Sequence, residues 1–167
     1  SIHDIDGVDC LHAYRKLRER GELDIRVHKI LRQEQIHEFI RRGIRTGAGD
    51  EWISMGPLKL FADGALGSHT CHMSEPWPGT QDHGMSVMEP AELDHWIHLA
   101  AAAGIASAVH AIGDQAASEA LDAIATTSSI SRAFGLRHRI EHAQYIKRGD
   151  VPRLRELGVT ASMQPMH

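Results

Sequence analysis

The sequence lacks the features that are typical of disulfide-rich, membrane-spanning and nucleic-acid-binding proteins. It has only two cysteines, Cys10 and Cys71, which excludes a disulfide framework and makes a reducing cytoplasm the expected compartment. No apolar run approaches the roughly 20 residues of a membrane-spanning helix, and nothing at the N-terminus resembles a signal peptide. The 18 basic residues are outnumbered by 22 acidic ones and form no run, which argues against nucleic-acid or membrane partners.

Several catalytic motifs are absent as well. There is no glycine-rich dinucleotide fingerprint after the first strand pattern, no Walker-type loop, and no Gly-x-Ser-x-Gly elbow. The two cysteines do not have metal-ligand spacing. Histidine, in contrast, is abundant, since its 13 copies outnumber phenylalanine (3), tryptophan (3) and tyrosine (2) together. Because histidine is the common metal ligand and acid–base residue, this excess points to a functional site.

Short β-branched runs alternate with helical patterns along the chain. Six strands are predicted, at residues 1–5, 25–31, 57–62, 105–112, 137–144 and 159–164. Helices with apolar residues at helical spacing separate them, with Asp9 and Asp114 as candidate N-caps of two of these helices. The alternation predicts a parallel α/β sheet but leaves an open sheet and a barrel as alternatives. Residues 63–90 have no helical or strand period and are predicted to form a long functional loop.

Polar residues cluster where three successive strands are predicted to end, which is where parallel sheets carry their sites. Because alternate residues of a strand share a face, Lys59, His110 and His142 are predicted to converge there. Each also has a simpler interpretation when taken singly: an edge lysine, a satisfied core histidine, or a member of a structural network. As a set, they favour metal-assisted hydrolysis.

Four motifs occur in order along the chain: GPLKLFADGALGS at 56–68, VHAIGD at 109–114, RHRIEHAQ at 137–144 and ASMQP at 161–165. In these segments the sequence resembles the amidohydrolase superfamily, in its YtcJ-like branch (amidohydrolase family 3, which includes N-substituted formamide deformylases). The resemblance implies a (β/α)8 TIM barrel of the α/β class. It also implies a metal-dependent hydrolase that uses metal-activated water on non-peptide C–N bonds of amides, N-acyl compounds or formamides.

The resemblance also implies roles for individual residues. Lys59 corresponds to a lysine that can be carboxylated and bridge two metals, while His110 and His142 correspond to histidines that hold one of them. One or two divalent ions are expected, with zinc as the favoured metal. Further residues are implied to face the substrate or to support the metal. The candidate catalytic residues among them are Asp63, His138, Arg139 and Gln164, and Glu141 belongs to the same set.

Two departures from the family pattern matter. The family usually has arginine and alanine where this chain has His69 and Cys71, so the substrate loop is expected to differ. The His-x-His pair of the first barrel strand and the aspartate of the eighth are also missing. Residues 1–167 are therefore expected to be the central part of a barrel, about strands two to seven, with little activity alone. Two open sheet edges then predict a homo-oligomer or association with another chain.

Two other functions remain as alternatives. The chain could be a non-catalytic barrel remnant or interaction module that has kept the fold without the chemistry. It could also be a metal-independent barrel enzyme in which Lys59 is an amine nucleophile. In the favoured interpretation the partner is a small-molecule amide substrate, with neither nucleic acid nor membrane involved.

Overall fold

A computed structural model of the protein describes residues 1–165, apart from the side chain of Val8. Its strands are β1 (Ile2–Asp4), β2 (Val27–Leu31), β3 (Ile53–Phe61), β4 (Ser107–Ala111), β5 (Arg139–His142) and β6 (Thr160–Ser162). Its helices are α1 (Val8–Glu19), α2 (Ile36–Arg41), α3 (Pro90–Ala102), α4 (Asp114–Thr126), α5 (Ser128–Phe134) and α6 (Val151–Glu156), and a 3₁₀ turn (Gln33–Gln35) precedes α2. None of the described helices has the length and apolarity needed to cross a membrane.

The order of the strands decides between the two architectures that the sequence left open. All six are parallel, and each pairs with the next along the chain, in the order β1-β2-β3-β4-β5-β6. A doubly wound sheet would reverse direction at a switch point, whereas a barrel wall advances one strand at a time. The fold is therefore a half-barrel of the α/β class, as predicted.

The two faces of this sheet differ in character. Leu60, Val109 and Ile140 lie side by side on β3, β4 and β5 and are fully buried in the hydrophobic core. The same core contains the apolar faces of the helices, including Leu93 of α3 and Leu121 of α4. The opposite face is the interior of the half-barrel, and its polar residues are only partly buried. Burial of the helix-facing residues thus leaves the polar side chains directed at the barrel interior.

Strand β3 begins at Ile53, four residues before the predicted start at position 57. Between β2 and β3 the register passes from Lys29 opposite Met55 to Leu31 opposite Leu58, so β3 contains one extra residue there. This irregularity includes Pro57, which has no N–H for the sheet ladder and is tolerated in strands mainly at such bulges. The proline therefore marks a bulge within the strand and not its beginning.

The structure corrects three further details of the sequence analysis. Helix α5 was not predicted, because its stretch of Ser and Thr is typical of loops. The N-cap positions of α1 and α4 are Gly7 and Gly113, with no side-chain cap. Asp9 and Asp114 instead lie in the first turns of these helices.

Candidate metal centre

The register of β3, β4 and β5 determines which side chains share the barrel interior. Lys59 lies opposite Ala108, and Ala108 opposite Arg139. Two residues further on, Phe61 lies opposite His110, and His110 opposite Glu141. Paired residues of parallel strands point to the same face, so the interior face carries Lys59, Phe61, His110, Arg139 and Glu141.

The side chain of His142 also reaches the interior, but its backbone conformation and not strand alternation places it there. It pairs with Ala111, whose face is the helix side, and Ile140 of the same strand is fully buried there. At His142, however, the backbone has a φ of 73°, in the left-handed region. Its ring consequently lies beside that of His110, with centroids 4.7 Å apart and planes at 71°. The convergence of the two histidines was predicted, but it depends on this turn and not on strand alternation.

A conformation of this kind is costly for a residue with a side chain. The left-handed region is about 1–2 kcal/mol unfavourable for an ordinary L-residue, and Ala143 also adopts it, with a φ of 46°. Such strained positions persist where the surrounding structure holds them, and they are common at functional sites. Here the left-handed backbone at His142 places its imidazole beside that of His110.

His110 is held by a single well-defined hydrogen bond. Its Nε2 lies 2.8 Å from the backbone oxygen of Gly64. A carbonyl only accepts, so Nε2 carries the proton and Nδ1 keeps its lone pair. Burial is the largest influence on the pKa of His110 and lowers it below the ordinary value, although the Gly64 contact and Asp63 act in the opposite direction. The imidazole is therefore held in the neutral form that binds metals.

His142 is oriented in a complementary way. Its Nδ1 lies 2.9 Å from the side-chain oxygen of Gln164, in the segment that follows β6. The amide oxygen accepts, so Nδ1 donates and the lone pair of Nε2 remains available. Hydrogen bonds of this kind fix the tautomer and the orientation of metal-binding histidines. Gln164 thus holds the orientation of the His142 ring.

Lys59 lies beside this histidine pair on the interior face. Its Nζ is 4.8 Å from the centroid of the Phe61 ring, and Lys59 lines a cavity of about 220 Å³ together with Glu141 and His142. Burial lowers the pKa of Lys59, Glu141 partly counteracts this, and Arg139 lowers it further. A larger fraction of Lys59 is accordingly in the neutral amine form than for an exposed lysine.

The donor atoms fit a divalent metal in part. Two imidazoles, each with one nitrogen hydrogen-bonded and the other available, suit zinc and its neighbours, and a carboxylated lysine would add anionic oxygens. Within residues 1–165, no group of three or more His, Cys, Asp and Glu side chains is placed to hold a metal ion. In the described residues, the donor atoms near one another are therefore those of two histidines and a lysine.

Asp63 fastens the ends of two strands to each other. The residue is 3% exposed, and its carboxylate accepts backbone N–H groups of Gly113 at 2.7 Å, of Ile112 at 3.1 Å and of His72 at 3.1 Å. One of its oxygens is also 3.4 Å from Nε2 of His110. The sequence predicted a catalytic role for Asp63, and the structure gives it contacts that position His110 and the loop after β3.

Arg139 and Glu141 form a network across the interior face. The guanidinium of Arg139 donates to Glu141 at 2.7 Å through Nε and to Ser162 Oγ at 2.8 Å through Nη2. Burial alone would raise the pKa of Glu141, but hydrogen bonding by Arg139 and Ser162 outweighs it, so the pKa lies below its ordinary value. Glu141 is thus a fixed negative charge in the cavity shared with Lys59 and His142.

His138 does not belong to this group, although the sequence predicted it as a catalytic residue. It is 1% exposed; its Nδ1 accepts the backbone N–H of Ser107 at 3.1 Å, and its Nε2 lies 2.8 Å from Ser131 Oγ. Burial lowers its pKa from 6.5 to about 4. Both nitrogens are engaged at the amino ends of β4 and β5, so this neutral histidine has a structural role.

Two residues of the interior were not predicted as site residues from the sequence. Phe61 lies close to both Lys59 and His110, since its ring centroid is 5.5 Å from that of His110 and 4.8 Å from Lys59 Nζ. His3 of β1 lines the cavity shared by Lys59 and His142, and its ring is 5.0 Å from that of His28. The sequence signal for Phe61 was the alternation of β3, which puts its side chain on the same face as Lys59. No sequence signal pointed to His3.

The fold and this site define a class: a barrel-type α/β protein with two adjoining histidines at the carboxyl edge of its sheet. The amidohydrolase family model matches residues 4–167, and the chain belongs to that family. The family that the sequence motifs predicted is thereby confirmed.

Individual relatives agree with this assignment. Protein LONG AFTER FAR-RED 3 of Arabidopsis thaliana is 36% identical over 118 residues, which cover 70% of this chain and 20% of that protein. The YtcJ protein of Bacillus subtilis (strain 168), named as an amidohydrolase, is 30% identical over 158 residues, or 93% of this chain and 28% of its own length. A crystal structure of an uncharacterized metal-dependent hydrolase from Pyrococcus furiosus superposes with a TM-score of 0.76 at 32% identity, over 99% of this chain and 33% of that one. The chain thus spans a fifth to a third of the length of these proteins.

Proposed function

We propose that the chain is the central part of a metal-dependent hydrolase that cleaves non-peptide C–N bonds of amides, N-acyl compounds or formamides. One observation carries the proposal: the rings of His110 and His142 lie 4.7 Å apart, and each has one nitrogen bonded to a carbonyl oxygen of the chain. Membership of the amidohydrolase family supports it, as does the similarity to a Pyrococcus protein described as a metal-dependent hydrolase.

The proposed metal ligands are His110 through Nδ1, His142 through Nε2, and Lys59 in a carboxylated form. In the carboxylation, the neutral amine of Lys59 attacks carbon dioxide and an N–C bond forms. One C=O π bond of carbon dioxide breaks, its electron pair moves onto oxygen as the carboxylate charge, and one amine proton is released to solvent. A bound zinc ion would supply a Lewis acid that lowers the pKa of water and polarises the scissile carbonyl. One or two such ions are proposed for the complete site.

The surrounding residues of the chain prepare these ligands. Gln164 and the Gly64 carbonyl fix the tautomers of the two histidines. Asp63 holds the strand ends on which His110 depends, and the Arg139–Glu141 pair places charge beside Lys59. Asp63 and Gln164 are therefore proposed to position the site, and Arg139 and Glu141 are also proposed to contact the substrate. No part of this proposal involves His138.

The remaining ligands and the general base are proposed to come from segments outside residues 1–167. In the described residues, β1 and β6 are the two ends of the sheet, each paired on one side only. We propose that further strands or a second copy cover these edges, and that the chain alone is inactive. Both cysteines are free, which supports a cytoplasmic location.

Zinc titration of the 167-residue chain tests the ligand assignment. In competition with a chromophoric chelator, His110→Ala and His142→Ala are each expected to weaken zinc binding by at least about tenfold, since each removes an oriented imidazole. His98→Ala is the matched control, because His98 is exposed on α3. Unchanged zinc affinity in both site variants, with circular dichroism confirming their folding, would refute the proposed centre.

Two further measurements address the lysine and the activity. With ¹³C-bicarbonate, the wild-type chain with zinc is expected to give a carbamate carbon signal that Lys59→Gln lacks; a signal that persists in Lys59→Gln would exclude Lys59 as its source. Amine release from N-acetyl and N-formyl compounds is expected to stay at background for the isolated chain. Turnover by these 167 residues alone would contradict the proposal that the site is completed from outside.

A further inference from the structure

A second cavity opens next to Lys59 at the carboxyl ends of β1, β2 and β3. Its volume is about 290 Å³, and its lining consists of Ile5, Asp6, Arg32, Gln33, Glu34, Lys59 and Phe61. Ile5 and Lys59 also line the cavity that contains Glu141 and His142. The two cavities therefore adjoin, and together they form a trough from the candidate metal centre to the loops that follow β1 and β2.

The wall of this trough nearest the metal centre is apolar. Phe61 is 46% exposed and Ile5 is 39% exposed, and both are among the large hydrophobic side chains that the fold leaves uncovered. The Phe61 ring is 4.8 Å from Lys59 Nζ and 5.5 Å from the His110 ring, so the apolar surface begins beside the reacting groups. Ligand sites combine such apolar walls with a few polar groups, and a ligand that covers them gains about 25 cal/mol per Å².

The far end of the trough is charged and exposed to solvent. Arg32 and Glu34 form an ion pair at 3.4 Å, and their side chains are 49% and 71% exposed. Asp6 lies on the same rim and is also exposed. Contact with Phe61 and Ile5 therefore stabilises an apolar group, whereas contact with the charged rim does not. The apolar group of a ligand is accordingly expected to be short.

We propose that Phe61 and Ile5 determine specificity by binding a short apolar substituent of the amide substrate. This inference rests on the proposed function for its reaction, since it assigns the trough to one side of the scissile C–N bond. The substrate class is an N-alkyl or N-acyl compound whose hydrocarbon group lies next to the amide.

A homologous series of ligands tests this assignment without metal and without turnover. N-methyl-, N-ethyl-, N-propyl- and N-butylacetamide are titrated into the metal-free 167-residue chain, and the dissociation constants are measured from NMR shifts. The Kd is expected to fall by up to about fourfold per methylene, which corresponds to ~0.8 kcal/mol for each methylene buried. In Phe61→Ala, the dependence on chain length is expected to flatten.

Phe134→Ala is the matched control. Phe134 is 42% exposed, nearly as much as Phe61, but it lies on α5, where Arg45 packs over its ring. This variant is expected to keep the wild-type dependence. Ile5→Ala provides a second test of the wall should Phe61→Ala fail to fold by circular dichroism, and it too is expected to reduce the slope.

The outcomes separate this inference from the proposed function. A dependence on chain length that is absent in the wild type, or unchanged in the wall variants, overturns the inference even if the chain binds zinc through His110 and His142. A steep dependence that is lost in Phe61→Ala supports the apolar wall even if zinc binding fails, in which case only the proposed metal chemistry falls.

Discussion

Replacing Asp63 by alanine is expected to destabilise the chain severely, because one buried carboxylate holds three backbone N–H groups. These belong to Gly113, Ile112 and His72, at distances of 2.7 to 3.1 Å. Hydrogen bonds to a charged group contribute roughly 1.5–3 kcal/mol each, and they do not add fully. The expected loss is about 3–5 kcal/mol in the free energy of unfolding, a large part of the ~5–15 kcal/mol of a typical domain.

Urea denaturation followed by circular dichroism measures this loss, and a thermal scan is expected to show a decrease in Tm of roughly 6–20 °C. Asp63→Asn is expected to cost less, because its remaining oxygen can still accept from Gly113 and His72, both of which bond to Oδ2. Asp82→Ala is the control, since Asp82 lies exposed in the same loop and accepts one N–H, from Gly84. If Asp63→Ala lowers the free energy of unfolding no more than Asp82→Ala does, the hydrogen bonds of Asp63 do not have the proposed stabilising role.

Two further predictions concern groups away from the metal centre. The pKa of His138 is about 4 in the folded chain against an ordinary 6.5, so the unfolded chain takes up its proton first as the pH falls. About 3 kcal/mol of stability is therefore expected to be lost between pH 6.5 and 4. Urea midpoints measured across this pH range are expected to fall less steeply in His138→Gln than in the wild type. The same pH dependence in both proteins would contradict this. Gly113→Ala would place a Cβ 2.0 Å from the His72 backbone oxygen, whereas Gly149→Ala meets nothing within 4 Å. The first is expected to lower the free energy of unfolding by roughly 1–3 kcal/mol more than the second, and equal losses would contradict the close approach.

The sequence was sufficient for the parts of the site that follow from local pattern. Alternation along β3 and β4 placed Lys59 and His110 on one face, and the motifs around them indicated the family. For β5 the same reasoning assigned the wrong face, since it placed His142 beside Lys59 and His110 by alternation, whereas Arg139 and Glu141 are the alternating residues that occupy the interior. Pairing with β4 sets the face of this strand, and pairing depends on residues about 30 positions away in the chain.

The roles of two predicted residues also required the tertiary structure. His138 was chosen for its residue type and its motif, but its two hydrogen bonds, to Ser107 and Ser131, bury it outside the site. Asp63 was chosen as a catalytic group, and its partners at 72, 112 and 113 make it a link between segments. The residue type determines which hydrogen bonds a side chain can form, whereas the fold determines which partners lie within reach.

The sequence by itself determined the alternation of strands and helices, the buried apolar stripes and the candidate ligands, because these depend on the period of the chain and on side-chain chemistry. Only the tertiary structure decided that the sheet advances as a barrel wall, that the backbone turns at His142 to bring its ring to His110, and that Phe61 forms an uncovered apolar wall. The physical reason is that register, strain and exposure result from contacts between segments far apart in the chain, which no local pattern records.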